Sequence, residues 1–274
     1  MPEPHRVETS RNLSRMCLAV FVLALALFSL HIYRTPLYAM DSIQYMGNAL
    51  LMEETNVVKI HDRVYSDLRR SVPKIVFEHL TGNEPGAAAD QNESRRERAI
   101  NPYRFAEFLP LFAIRPLYNQ TLWVVSKLGV GLVRAGVLIS TVSYFLLGLL
   151  LYLWIRPYIP PVQGVVVGLL ALISPNLAIV GRETTSDALA SLVAFTSLYL
   201  IFEKRRLPLG MLALLLSIYF RTDFIVLAGP VILLCWLRDE FPATTELARG
   251  AGQRRIDGRV PRAPMHWGGR ASRL

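Results

Sequence analysis

Uncharged apolar blocks, each about as long as a lipid bilayer is thick, restrict the fold of this chain more than any other feature. The first block covers residues 16–33, and the cleanest covers residues 135–155. A helix needs about 20 apolar residues to cross a hydrocarbon core ~30 Å thick. Inside the bilayer a helix also satisfies its own backbone polar groups. We therefore predict an all-α, polytopic membrane helix bundle.

Three further apolar stretches bring the predicted number of transmembrane helices to five or six: residues 162–180, 188–202 and 207–237. Pro175 predicts a kink in the first of them. The last is too long for one span and is interrupted by Arg221-Thr222-Asp223. Two alternatives remain open there. Either two short helices meet at an external turn, or one broken helix carries charges at membrane depth.

The positive charge of the chain, formally +9, is explained by membrane topology rather than by a nucleic-acid partner. Arg6, Arg11 and Arg15 precede the first block and predict a cytoplasmic N-terminus, residues 1–15, in the plasma (inner) membrane. An uncleaved first helix, residues 16–33, then leads into a large external loop, residues 34–134. Residues 135–237 form the remaining helix bundle. Residues 238–274 are basic and lack an apolar period, which predicts a disordered cytoplasmic tail.

The external loop has its own predicted organisation. Residues 45–52 and 103–118 are amphipathic and indicate helices that lie along the membrane interface. Residues 82–98, GNEPGAAADQNESRRER, have the composition of a flexible surface loop. The sequence has no Gly-rich phosphate loop, Cys/His metal spacing or Ser-His-Asp signature. We therefore predict no metal and no cofactor.

Asp41 is the residue with the clearest chemical potential, because it follows the first membrane helix directly. A carboxylate at the outer mouth of a helix bundle can act as a general base or bind a cation. Asp41-Ser42 before a helical run is also a good N-cap, in which either side chain accepts from free backbone donors. On local chemistry alone the cap is the favoured interpretation.

The segment TPLYAMDSIQYMGNALLME resembles the first external loop of GT-C-type glycosyltransferases, polytopic enzymes that use polyprenyl-phosphate-linked sugars. In that class the loop begins with an acidic residue, often followed by Tyr and Ala, which Asp41, Tyr45 and Ala49 match. The stretches GRETTSDALASLVAF and LALLLSIYFRTDFIVLAGPVILL resemble the family's middle helices. The resemblance covers about residues 12–238. Members of the class are usually longer, so the chain is expected to be an N-terminal part of such a protein.

The resemblance implies a mannosyl- or arabinosyltransferase-like reaction on the external face, in the cell envelope. Asp41 would be the general base, and a cation would stabilise the phosphate of the donor. Tyr45 is a further substrate-binding candidate. Arg221 is the first candidate for the cation, and Arg115 and Arg182 follow, each with interfacial snorkelling as the alternative. The partners would be the bilayer, the polyprenyl-phosphate sugar and an acceptor glycan, lipid or protein.

A second class of function remains open, that of a non-catalytic polytopic membrane protein such as a transporter or an envelope-assembly subunit. A transporter typically has paired inverted halves with matching broken helices. The sequence has one evident broken segment, at Arg221. Glu183 and Asp187 form an acidic pair on a short polar turn, where pairing with Arg182 or helix capping is expected.

Overall fold

The chain folds as an all-α protein, as the sequence predicts. The structure, a computed structural model, describes residues 4–83 and 89–237, with side chains described for residues 12–83 and 92–237. The predicted cytoplasmic tail, residues 238–274, lies outside the described residues. Within the described ranges, the β-structure is one isolated parallel bridge between Leu37 and Glu183. The chain divides into two compact units, Met1–Gly229 and Pro230–Leu274, and the second is described over residues 230–237.

The helices follow one another with short connections. In chain order they are α1 (Pro4–Arg34), α2 (Asp41–Leu50), α3 (Val57–Ser71), α4 (Lys74–Leu80), α5 (Ala89–Ile100), α6 (Pro102–Ala113), α7 (Pro116–Val125), α8 (Leu132–Ile155), α9 (Pro161–Ile173), α10 (Pro175–Arg182), α11 (Asp187–Leu198), α12 (Leu207–Phe220) and α13 (Ile225–Leu237). Ser126–Val130 and Tyr199–Glu203 form π-helical turns, and Thr222–Phe224 forms a 3-10 turn.

Two helices of the described chain are long and apolar enough to cross a membrane: residues Asn12–Arg34 within α1, and α8. A third is present if α9 and α10, bent by 60° at their junction, count as one broken span. By length and composition these two or three candidate spans are fewer than the five or six predicted, and α12 and α13 are apolar helices too short to be counted among them. The apolar blocks are cut by local backbone features. Ser174 is extended, as residues before proline usually are, and Arg221 is extended at the end of α12.

The outer surface of these helices is apolar. Along α1 the exposed side chains include Met16, Val20, Leu23 and Leu27. α9 continues the pattern with several exposed aliphatic side chains. A soluble protein rarely exposes so large a contiguous apolar surface, whereas lipid tails cover it without cost. The described helices thus have the surface of a membrane protein.

Helices α2 to α7 form a compact helical region that packs on the first half of α8. α2 lies at its centre, and every residue from Ser42 to Leu50 is buried. This differs from the expected interfacial helix, because α3, α6, α7 and α8 together cover all sides of α2. The predicted flexible loop at residues 82–98 is also wrong in part. Residues 84–88 lie outside the described residues, but Ala89–Ile100 is a helix.

A carboxylate from this helical region caps the spanning helix α8. The backbone amides of Leu132 and Val133 donate to Asp67 Oδ2 at 3.0 and 3.3 Å. Gly131 precedes them with a φ of 77°, a left-handed conformation that favours glycine. Asp67 lies on α3, far away in sequence, so the cap joins the region of helices α2 to α7 to the start of α8.

Two glycines test how closely the spanning helices approach each other. A Cβ on Gly181 would lie 2.7 Å from Tyr144 Cδ2 and 3.1 Å from Tyr144 Cβ, whereas a Cβ on Gly164 would lie no closer than 3.7 Å to Tyr152 Cε2. We expect Gly181→Ala to reduce the free energy of unfolding by about 1–3 kcal/mol, because Tyr144 is buried and has little room to move. Gly164→Ala should keep or raise the melting temperature. Thermal unfolding of both variants in the same detergent distinguishes these outcomes, and equal melting temperatures would contradict the close packing of α10 on α8.

Candidate functional site

Backbone pairing brings the start of α2 beside the turn between α10 and α11. The amide of Leu37 donates to the carbonyl of Arg182 at 2.8 Å, and the amide of Thr184 donates to the carbonyl of Leu37 at 3.1 Å. The hydroxyl of Ser140, on α8, donates to the carbonyl of Glu183 at 2.7 Å. The segment that follows the first membrane helix is thus fixed to the polar turn at residues 183–186, with Asp41 at its end.

Asp41 is the first residue of α2, and its side chain is half-buried. The expected capping role is wrong. Met40 occupies the N-cap position with helical backbone angles and no side-chain hydrogen bond to the helix. The hydroxyl of Ser42 instead donates backwards to the carbonyl of Ala39 at 2.6 Å. Asp41 forms no hydrogen bond or ion pair with any residue that the structure describes. A half-buried carboxylate without a partner calls for an explanation beyond helix capping.

Burial raises the pKa of Asp41 above its ordinary value. The charge of Arg115 opposes this, the charge of Asp187 adds to it, and Arg221 and Arg98 oppose it more weakly. The pKa of Glu183 is raised in the same way, first by burial and then by Asp187 and Asp41. Three carboxylates and several guanidinium groups therefore act on one another across this site. A carboxyl whose pKa is raised holds a proton more firmly than an ordinary aspartate, which improves it as a base.

Arg115 faces this site with part of its hydrogen-bonding capacity unused. Its Cζ lies 5.6 Å from the centre of the Tyr45 ring, and its Nη1 donates to Ser186 Oγ at the long distance of 3.5 Å. Its Nε is buried and has no hydrogen-bond partner among the described residues. No described carboxylate forms an ion pair with it. Unpaired buried donors are uncommon in folded proteins, so Arg115 has the properties of an anion-binding side chain.

Arg221 is more fully engaged than Arg115. It forms a close ion pair with Asp187, and its Nε donates to Asp223 Oδ2 at 3.0 Å. Its backbone is extended between α12 and the following 3-10 turn, so the apolar run is interrupted there as expected. The two carboxylates neutralise most of its charge. Arg221 therefore holds Asp187 beside Asp41 and has less capacity for an added anion than Arg115.

The remaining candidates, Arg182 and Tyr45, make contacts that hold the fold together. Arg182 donates from its Nε to the carbonyl of Thr35 at 2.7 Å and so ties α10 to the end of α1. Tyr45 is completely buried, in edge-to-face contact with Tyr118 at 4.8 Å. Its hydroxyl lies 3.4 Å from Ser186 Oγ. Tyr45 therefore contacts Ser186 through its hydroxyl and the guanidinium of Arg115 through its ring, and its side chain has no exposed surface.

Ser186 is the site residue that sequence reasoning missed. It is fully buried and lies between Tyr45 and Arg115. Its position in the polar segment GRETTSD was the available signal, but only the fold shows which of the hydroxyls points to Arg115. Within the described parts of the chain, no group of three or more His, Cys, Asp or Glu side chains could hold a metal ion.

No family model, curated protein or solved structure matches this chain. The resemblance to GT-C-type glycosyltransferases rests on the sequence segments quoted above.

The raised pKa of Asp41 has a consequence for stability. A carboxyl whose pKa is higher in the folded than in the unfolded protein adds stability below the unfolded pKa, about 4. That contribution is lost as the pH rises through the folded pKa. We therefore expect Asp41→Asn to raise the melting temperature at pH 7, by about 1–3 °C, and to leave it nearly unchanged at pH 4. Thermal unfolding at both pH values measures this.

The matched control for this measurement is Glu93→Gln, which removes an exposed carboxylate on α5. It should leave the melting temperature unchanged at both pH values. A lower melting temperature for Asp41→Asn at pH 7 would indicate that Asp41 stabilises the start of α2, contrary to the absence of a capping bond.

Proposed function

We propose that this protein is a membrane glycosyltransferase of GT-C type, or part of one, which transfers a sugar from a polyprenyl-phosphate donor to an acceptor hydroxyl. The observation that carries the proposal is that a half-buried Asp41 without a hydrogen-bond partner lies in the same site as Arg115, whose Nε has no hydrogen-bond acceptor. A structural ion pair would have brought the two into direct contact. Asp41 and Arg115 act on each other electrostatically without forming an ion pair, so a substrate group could contact both.

In the proposed reaction Asp41 takes the proton of the acceptor hydroxyl while the oxygen of that hydroxyl attacks the anomeric carbon of the donor sugar. The bond from that carbon to the phosphate oxygen breaks, and its electron pair stays on the polyprenyl phosphate. The new glycosidic bond forms on the opposite face, so the configuration inverts. Arg115 would donate to the phosphate as its negative charge increases, which is the role of a preorganised cation.

The geometry favours Arg115 over Arg221 for this role, in reverse of the order expected from the sequence. Arg221 would have to exchange its bonds to Asp187 and Asp223 for the phosphate. Arg115 already has an unpaired Nε and a weakly bonded Nη1. We assign Arg221 to positioning Asp187, and Tyr45 and Ser186 to positioning Arg115.

The distribution of charge supports an external site and a cytoplasmic N-terminus in the plasma membrane. Arg156 and Lys204 follow the ends of α8 and of the π-helical turn Tyr199–Glu203, and Arg15 lies near the start of the apolar part of α1, all on the side away from Asp41. Positive residues beside membrane spans favour the cytoplasmic side. Asp41, Glu183 and Asp187 would then face the exterior, where a lipid-linked donor presents its sugar.

Removing the proposed base should abolish transfer. We expect Asp41→Asn to reduce sugar transfer by about 10²–10⁴-fold, since the amide cannot accept the proton. The measurement uses membranes containing the protein, a panel of labelled polyprenyl-phosphate sugars and short glycan acceptors. Because the pKa of Asp41 is raised, the wild-type rate should fall on the acid side at a pH above 4, where an ordinary aspartate would still be ionised.

The cation can be tested separately. Arg115→Gln should raise the KM for the donor strongly, Arg115→Lys should restore part of the affinity, and Arg69→Gln, an exposed cation on α3, should change nothing. Transfer that survives in Asp41→Asn would remove Asp41 as the base. Absence of transfer from every donor by the wild-type protein, with normal membrane insertion, would instead favour the non-catalytic alternative.

A further inference from the structure

The end of the helix bundle away from Asp41 brings three separate chain segments together. Phe21 on α1 stacks on Tyr152 of α8, with ring centres 4.3 Å apart. Trp154 meets Tyr199 at 5.8 Å, and the hydroxyl of Tyr158 donates to the carboxylate of Glu203. The cations next to these contacts therefore belong to one surface, which we call the basic rim: Arg15, Arg156, Lys204, Arg205 and Arg206.

All five side chains of the basic rim are exposed. The neighbouring carboxylate, Glu203, is engaged by Tyr158. Arg15, Arg156 and Arg206 form no ion pair with a described residue, and Lys204 lies 5.1 Å from the ring centre of Tyr199. The surface thus carries an excess of positive charge. The charges of Arg15, Arg156 and Arg206 are available to a partner outside the chain.

The turn that carries three of these cations has a strained backbone. Arg205 has a φ of 53°, the one positive φ among the described residues other than glycine. The amides of Lys204 and Arg206 close the end of the preceding helix by donating to the carbonyls of Tyr199 and Leu200 at 3.0 and 2.8 Å. Glycine is the usual residue in such a left-handed position after a helix. An arginine there is an unfavourable choice for folding alone, and such exceptions cluster at functional positions.

We propose that the basic rim binds the phosphate headgroups of anionic phospholipids. The rim lies at the ends of spanning helices, next to the aromatic side chains of Trp154, Tyr158 and Tyr199. Aromatic residues of this kind mark the level of lipid headgroups. Basic clusters beside membrane helices attract anionic lipids. A soluble acidic partner, by contrast, would have no need of the aromatic and apolar surroundings. This site is separate from Asp41 and does not depend on the proposed transferase activity.

The experiment compares lipid selectivity of the whole protein. The protein is reconstituted into vesicles of equal phosphatidylcholine and phosphatidylglycerol and extracted in mild detergent, and the two lipids that remain bound are quantified by mass spectrometry. The triple variant Arg156→Gln, Lys204→Gln, Arg206→Gln should lose at least about fivefold of the phosphatidylglycerol enrichment, the factor expected for a single cation near a headgroup. The control Arg69→Gln, Arg70→Gln, Lys74→Gln removes the same charge from exposed positions on α3 and α4 and should retain it.

A second variant separates lipid binding from folding. Arg205→Gly relieves the left-handed strain, so its melting temperature should equal or exceed that of the wild type, while its phosphatidylglycerol enrichment falls. Unchanged enrichment in the triple variant or in Arg205→Gly would overturn the proposal, as would an equal loss in the control. Because the readout is bound lipid, a failure to detect sugar transfer would leave this result intact.

Discussion

The burial of α2 on every side is the constraint on which the candidate site depends. Its residues from Ser42 to Leu50 are enclosed by α3, α6, α7 and α8, so the helix can neither rotate nor slide without opening the core. Asp41 begins this helix and is consequently held at one place beside the α10–α11 turn. The pairing of Leu37 with Arg182 and Thr184 fixes the preceding segment as well. Rigid placement of a single carboxylate is what general-base chemistry requires.

The electrostatic arrangement divides the charged groups between structure and chemistry. Arg221 binds Asp187 and Asp223 and so stabilises the acidic turn. Asp41 and Arg115 have no such partner, although each lies within the field of the other. Satisfying every charge internally would have been more stable, because unpaired charges lose solvation when they are half-buried. This loss of solvation free energy remains at Asp41 and Arg115, where a substrate could replace the missing contacts.

The sequence predicted the all-α membrane fold, because apolar length is a local property. The candidates Asp41, Arg115 and Arg221 came from the resemblance to GT-C-type glycosyltransferases and stay predictions. By length and composition the described residues contain two or three candidate spans, fewer than the five or six predicted, since short extended breaks at Ser174 and Arg221 shorten the helices. Contacts between distant segments of the chain could not be predicted from the sequence. The cap of α8 by Asp67 and the place of Ser186 below Arg115 depend on how helices pack. The order of the two arginines changed for the same reason, because ion pairing is a tertiary property.

The two ends of α11 show how far simple helix electrostatics explains the charges. Asp187 lies in its first turn and Lys204 follows its π-helical extension, so each complements the helix dipole. The dipole therefore accounts for an acidic end and a basic end without any ligand. It accounts in the same way for the charge of Asp41 in the first turn of α2. It does not account for a left-handed Arg205, which glycine would replace at lower cost. This exception lies in the basic rim, for which we propose a phosphate-bearing lipid ligand.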